Sequence, residues 1–176
     1  MRRRTIASIL LTGVAVAALG VTASGTPPSE SAEKDLPATA SEARGRAKLL
    51  HEALHATLQI VHHEYYRENE GLPLPAATFT RVFREMEARH GVGLRWIAVT
   101  AEAMNVDHKP RTEFEKNAAK ALGDGSPEYE SVDEGIYRRA GAITLSSECL
   151  RCHAPTRSSN KDRAAGLVIT LRLRKP

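Results

Sequence analysis

The sequence predicts an α+β domain with an antiparallel sheet, and three observations carry that prediction. Two amphipathic helical stretches come first, the apolar period then switches to two, and a capping box opens one more helix among the strands. At 176 residues, 41% of them hydrophobic, the chain is long enough for one domain with its own core. A charged share of 26% and a mean hydropathy of −0.35 argue against a wholly disordered chain or a multi-span membrane protein.

Residues 1–23 combine Arg2, Arg3 and Arg4 with an uncharged run from Ile6 to about Val21, then small residues ending in Val21-Thr22-Ala23. This is the pattern of an export signal, with small side chains where signal peptidase cuts. The adjacent arginines partly match a twin-arginine signal. The run is short beside the roughly 20 apolar residues of a relaxed span, so cleavage is the first expectation and a retained anchor the second. No cysteine follows it, which excludes a lipoprotein anchor. The expected location is therefore periplasmic or otherwise exported. The formal net charge of +4 falls to +1 without those three arginines, so the basicity is a targeting feature and no nucleic-acid partner is expected.

Residues 24–40, rich in Ser, Thr, Pro, Ala and Glu, read as a flexible linker before a domain over 41–176. Ser41 is the expected N-cap of a long helix over roughly 42–68, with Ala47, Leu50, Leu54, Leu58, Val61 and Tyr65 along one face. A second helix follows Pro73 and Pro75, carries Phe79, Val82, Phe83 and Met86, and stops at Gly91. Val92 to Val99 alternates as a strand. Thr112 and Glu115 form the capping box of a helix running to about Leu122, ended by Gly123, Gly125 and Pro127. Ile136 to Leu145 reads as a strand, 154–163 as a polar loop, and Leu167, Ile169, Leu171 and Leu173 as a terminal strand.

The chemistry lies in Cys149-Leu150-Arg151-Cys152-His153, a C-x-x-C-H pattern holding both cysteines of the chain. That pattern is the attachment signature of haem c. Two thiols add across the two porphyrin vinyl groups, and His153 supplies the proximal iron ligand. A thioredoxin-like dithiol would need a βαβ context that is missing. Zinc would need a fourth ligand. A disulfide across two residues would be strained.

Seven histidines are present, and His51, His55, His62 and His63 fall on the first helix. At about 100° per residue, His51, His55 and His62 share one line and His63 points away. The helical face therefore selects His62 as second iron ligand, His55 next, with an open distal side as the alternative. Arg81, Arg84, Arg95, Lys109, Arg138, Arg139 and Arg151 are candidates for pairing haem propionates. Phe79, Phe83, Trp96, Phe114 and Tyr137 could pack either a porphyrin or the core.

With these residues in order, the chain from Ser41 to Leu173 resembles the PAS-like mono-haem c-type domain family of exported bacterial proteins and sensor kinases. The long first helix, the turn Asn105-Val106-Asp107-His108-Lys109-Pro110, the pair Phe114-Glu115, the pentapeptide and the strand start Ala165-Gly166-Leu167 carry the resemblance. Val106 and His108 depart from the family's Pro and Asn in that turn. The resemblance implies a PAS-like antiparallel sheet flanked by helices, haem c beside it, and a distal ligand from the first helix. Relatives often use a cysteine there, whereas this chain offers His62 in Leu58-Gln59-Ile60-Val61-His62.

The expected function is that of a c-type cytochrome-like protein working by one-electron transfer or redox sensing. The alternative is a gas or small-ligand sensor with an open distal site. No paired carboxylates, nucleophile–base pair or phosphate loop points to an enzyme. The partner class is a redox protein or membrane electron-transfer complex. A sensory role would need a separate transmitter, because none follows the motif before Pro176.

Overall fold

The computed structural model describes residues 35–67, 70–103, 105–147, 149–154 and 156–175. The export segment over 1–23 and the linker as far as residue 34 lie outside the described residues. Residues 35–39, expected in the linker, are tied to the domain. The Arg46 guanidinium donates to the Asp35 carbonyl at 2.6 Å, and the Arg174 amide donates to the Pro37 carbonyl at 2.9 Å.

Helix α1 runs Ala40–Glu64. Its N-cap is Thr39 rather than Ser41: the Thr39 hydroxyl accepts from the Glu42 amide at 3.1 Å, and the Glu42 carboxylate accepts from the Ala38 amide at 2.8 Å. The helix stops at Glu64, short of the expected residue 68. Tyr65, the next member of the apolar stripe, is 71% exposed, so its burial adds little to hold a further turn. Helix α2, Pro75–His90, has the expected ends, Pro75 in the first turn and Gly91 at φ 62° closing it.

The four strands are β1 (Gly93–Ala98), β2 (Glu128–Asp133), β3 (Ile136–Leu145) and β4 (Arg163–Arg172), ordered β1-β4-β3-β2 and antiparallel throughout. Strand β2 was not expected. It pairs with β3 through a two-residue turn in which Glu134 and Gly135 both take positive φ, 47° and 73°. Strand β4 begins at Arg163, four residues before the alternation from Leu167. Helix α3, Glu113–Gly123, opens on the expected Thr112–Glu115 capping box.

Helices α1 and α2 cover one face of the sheet, burying Ala43, Ala47, Phe79, Phe83, Trp96, Tyr137, Ile143, Leu167, Ile169 and Leu171. Helix α3 covers the other over Ile97, Ala118, Leu122, Ala140 and Val168. Strand β1 therefore buries Trp96 on one side and Ile97 on the other, which is why its sequence reads as nearly continuous apolar residues. The result is the expected α+β domain, an antiparallel sheet flanked by helices, with α1 packed along β3. Among the described residues, no helix is long and apolar enough to cross a membrane.

Candidate functional site

After β3 the chain turns into α4, a single helical turn over Leu150–His153 with αR backbone already at Cys149. The Leu150 amide donates to the Ser146 carbonyl and the His153 amide to the Cys149 carbonyl, each at 3.0 Å. Positions i, i+3 and i+4 share a helical face, so Cys149, Cys152 and His153 lie on one side of the turn. Leu150 points the other way and is fully buried, anchoring the motif to the core. Arg157 fastens the outgoing loop by donating to the Leu150 carbonyl at 2.9 Å. Both thiols are partly buried and neither is in a disulfide.

Burial pushes the His153 imidazole below its ordinary pKa, and the charges of His62 and His108 push it the same way. A neutral imidazole is the form that binds a metal. Burial alone holds His62 low as well. The fold thus places His62, in the last turn of α1, within electrostatic reach of the pentapeptide histidine. Among the described residues no three His, Cys, Asp or Glu side chains form a group that could hold a bare metal ion. Two thiols and an imidazole on one helical turn are a donor set that fits a larger planar group attached at its edge.

The structure does not place His55 at this site. It stacks on His51, with ring centroids 5.6 Å apart and planes 13° from parallel, and its Nε2 meets the Gln59 amide at 3.2 Å. Those contacts lie about two helical turns before His62. His63 is exposed, and His90 is the last residue of α2.

His108 is the site residue that sequence reasoning passed over, treating it only as a departure from a turn pattern. It ends a short 3-10 turn, Val106–His108, capped by the Asn105 side chain, which accepts from the Asp107 amide at 2.9 Å. Arg95 of β1 secures this turn, donating to the carbonyls of Asp107 and Lys109 and pairing with Glu115 at 2.6 Å. Glu115 in turn accepts from the Arg111 amide at 2.6 Å and the Thr112 amide at 3.2 Å. A carboxylate only 6% exposed, satisfied on both oxygens, thus fixes the segment that presents His108. The capping box was the available signal, but nothing local showed that Glu115 also meets Arg95.

The other cations divide. Arg139 is 5% exposed and donates to Glu128 at 2.7 and 2.9 Å, beneath α1. Arg138 faces the α3 side beside Phe114 and Tyr129. Arg81, Arg84, Lys109 and Arg151 are exposed. Phe79, Phe83 and Trp96 form a ring cluster with centroids 4.9–6.4 Å apart, and Phe114 meets Tyr129 at 5.4 Å. Tyr137 is fully buried and donates to Glu130 at 2.7 Å. These aromatic side chains belong to the core.

His51 has a different role from the line of histidines expected on α1. It is 4% exposed over Gly141 of β3, and burial, with Arg139 second, lowers its pKa to about 4. Unfolding restores an ordinary value near 6.5, so the folded chain holds His51 neutral where the unfolded chain protonates. Its contribution is present above pH ~6.5 and is lost as the pH falls toward 4, amounting to about 3 kcal/mol over the window. Urea unfolding measured from pH 7.5 to 4 is expected to show a shallower loss in His51→Leu than in the parent. Parallel curves for the two proteins would contradict this.

A sheet with two helices on one face, a third on the other, and a chain that turns sharply into two thiols and an imidazole define an α+β domain compatible with a PAS-like fold. Within that class the chain belongs to the Tll0287-like family: residues 34–168 match its family model, described as Tll0287-like: Tll0287. Among solved structures the chain is similar to the one described as "Crystal structure of the cyanobacterial heme-protein Tll0287", with a TM-score of 0.54. The identity is 17%, and the likeness covers 77% of this chain and 98% of that one, a similarity of fold. No curated protein matches the chain.

Proposed function

We propose that the chain is an exported mono-haem c protein that transfers or senses single electrons. The observation that carries this is the common face of Cys149, Cys152 and His153 on α4, with His62 of α1 within electrostatic reach of the imidazole. Cys149 and Cys152 would hold the porphyrin edge as two thioethers, His153 would be the proximal ligand, and His62 the distal one. A haem iron held by two imidazoles supplies a one-electron couple. The protein's own part is to keep both imidazoles neutral by burial and to fix α4 through Leu150. It also limits solvent access on the α1 side. Membership of a family whose solved relative is called a heme-protein supports the reading. The expected partner is a redox protein or membrane electron-transfer complex outside the cytoplasm.

The chain exported with haem-attachment machinery should retain haem through acid–acetone extraction and gain the mass of one haem. Changing Cys149 and Cys152 together to serine should remove it completely. A parent chain without covalent haem would overturn the proposal. Rapid carbon monoxide binding to the resting reduced protein would replace the bis-histidine site by an open distal one.

A further inference from the structure

A cleft of about 210 Å³ lies between α2, β1 and the 105–111 segment. Its floor is Phe83 and Trp96, and Arg84, Arg95 and Arg111 reach its walls. His108 lines the cleft and is within electrostatic reach of His153, so the cleft lies on the pentapeptide's side of the domain. The volume is below the roughly 300 Å³ at which pockets for whole small molecules begin, so it suits a short arm or a small acid.

The charges around it are unequally engaged. Asp107 is paired with Arg111, and Glu115 takes one edge of Arg95. Two backbone carbonyls hold Arg95 in place, which spares the cost of ordering it. Arg84 has no ion-pair partner among the described residues, although Glu87 lines the same cleft one turn further along α2. A planar guanidinium offers paired donors that match a carboxylate. An apolar floor suits a short methylene chain behind that carboxylate.

We propose that this cleft is a carboxylate-binding pocket, with Arg84 as its principal ligand and Arg111, whose pair with Asp107 is solvent-exposed and exchangeable, as its second. A carboxylate there comes either from a haem propionate or from a free short-chain dicarboxylic acid. The propionate source rests on the haem reading above; the free-acid source does not.

The experiment uses the full exported chain as isolated. Succinate is titrated while arginine Nε resonances are followed, with succinamide as the uncharged control. The pH dependence of the midpoint potential is measured on the same protein. For a free acid, succinate but not succinamide shifts the arginine signals, and affinity falls about tenfold or more in Arg84→Gln. For a propionate, succinate does not bind, while Arg84→Gln moves the pH at which the potential changes by about one unit or more. Arg111→Gln should move the same readout in the same direction, which separates recognition from a folding defect in one variant. Neither succinate binding nor a displaced pH dependence in the two variants overturns the pocket. A chain isolated without haem defeats the haem reading, and the succinate titration then decides the pocket alone.

Discussion

An exported chain carrying His153→Ala is expected to keep its covalent haem and lose its low-spin spectrum completely. In the proposed site the cysteines would make the attachment and the imidazole would bind the iron, so the two properties should separate in this variant. Cys149, Cys152 and His153 share one face of α4, and α4 is held by the buried Leu150 rather than by the histidine. Removing the imidazole therefore leaves the turn in place. His62→Ala should also retain the haem mass but convert the iron to a form that takes up carbon monoxide rapidly, because the imidazole supplied by α1 is gone. Absorption spectra of oxidised and reduced protein, paired with intact mass, read both outcomes. If His62→Ala stays low-spin with an unchanged spectrum, His62 is not the distal ligand. His108, the other imidazole within electrostatic reach of His153, then becomes the candidate, and the double variant decides it.

The parts of the fold that could be read from the sequence are those whose signal is local. Pro75 and Gly91 bound α2, Thr112 and Glu115 cap α3, and Leu167, Ile169 and Leu171 alternate along β4 because all three pack on the face covered by α1 and α2. Strand β2 has the sequence Glu-Tyr-Glu-Ser-Val-Asp and reads as a polar connection. Its acids are balanced only in three dimensions: Glu128 by Lys48 and Arg139, and Glu130 by Arg44 and the Tyr137 hydroxyl. Arg44 is 86 residues away, beyond the reach of any window along the chain. The candidate site divides in the same way. The pentapeptide is a contiguous motif and was legible at once. The selection of His62 over His55 followed from the helical face combined with the family resemblance. His108 could not be found this way, because its place within reach of His153 depends on Arg95 and Glu115 fastening a turn between β1 and α3.

Gly141→Ala is expected to be the most damaging single-methyl change on the sheet, because of what lies directly above it. A Cβ there would sit 2.6 Å from Cε1 and 2.7 Å from Nδ1 of His51, and 2.8 Å from Nη1 of Arg139. The Arg139 contact is with the end of a flexible side chain and can yield. The His51 contact is with a ring buried beneath α1, and neither ring nitrogen has a hydrogen-bond partner to guide it elsewhere among the described residues. The methyl group can be accommodated only if α1 lifts from β3, loosening Leu50 and Leu54 and the helix that carries His62. Overpacking of this kind costs about 2–3 kcal/mol, which for a domain of this size lowers Tm by roughly 6–10 °C. A double-mutant cycle isolates the cause. In a His51→Ala background the ring is absent, and Gly141→Ala should then cost less than about 1 kcal/mol. Equal costs in the two backgrounds, measured by urea unfolding, would show that the strain lies in the β3 backbone. The same cycle read through the haem spectrum tests whether α1 moves. In the proposed bis-histidine site, displacement of α1 should weaken His62 ligation in Gly141→Ala, and removing the His51 ring should restore it.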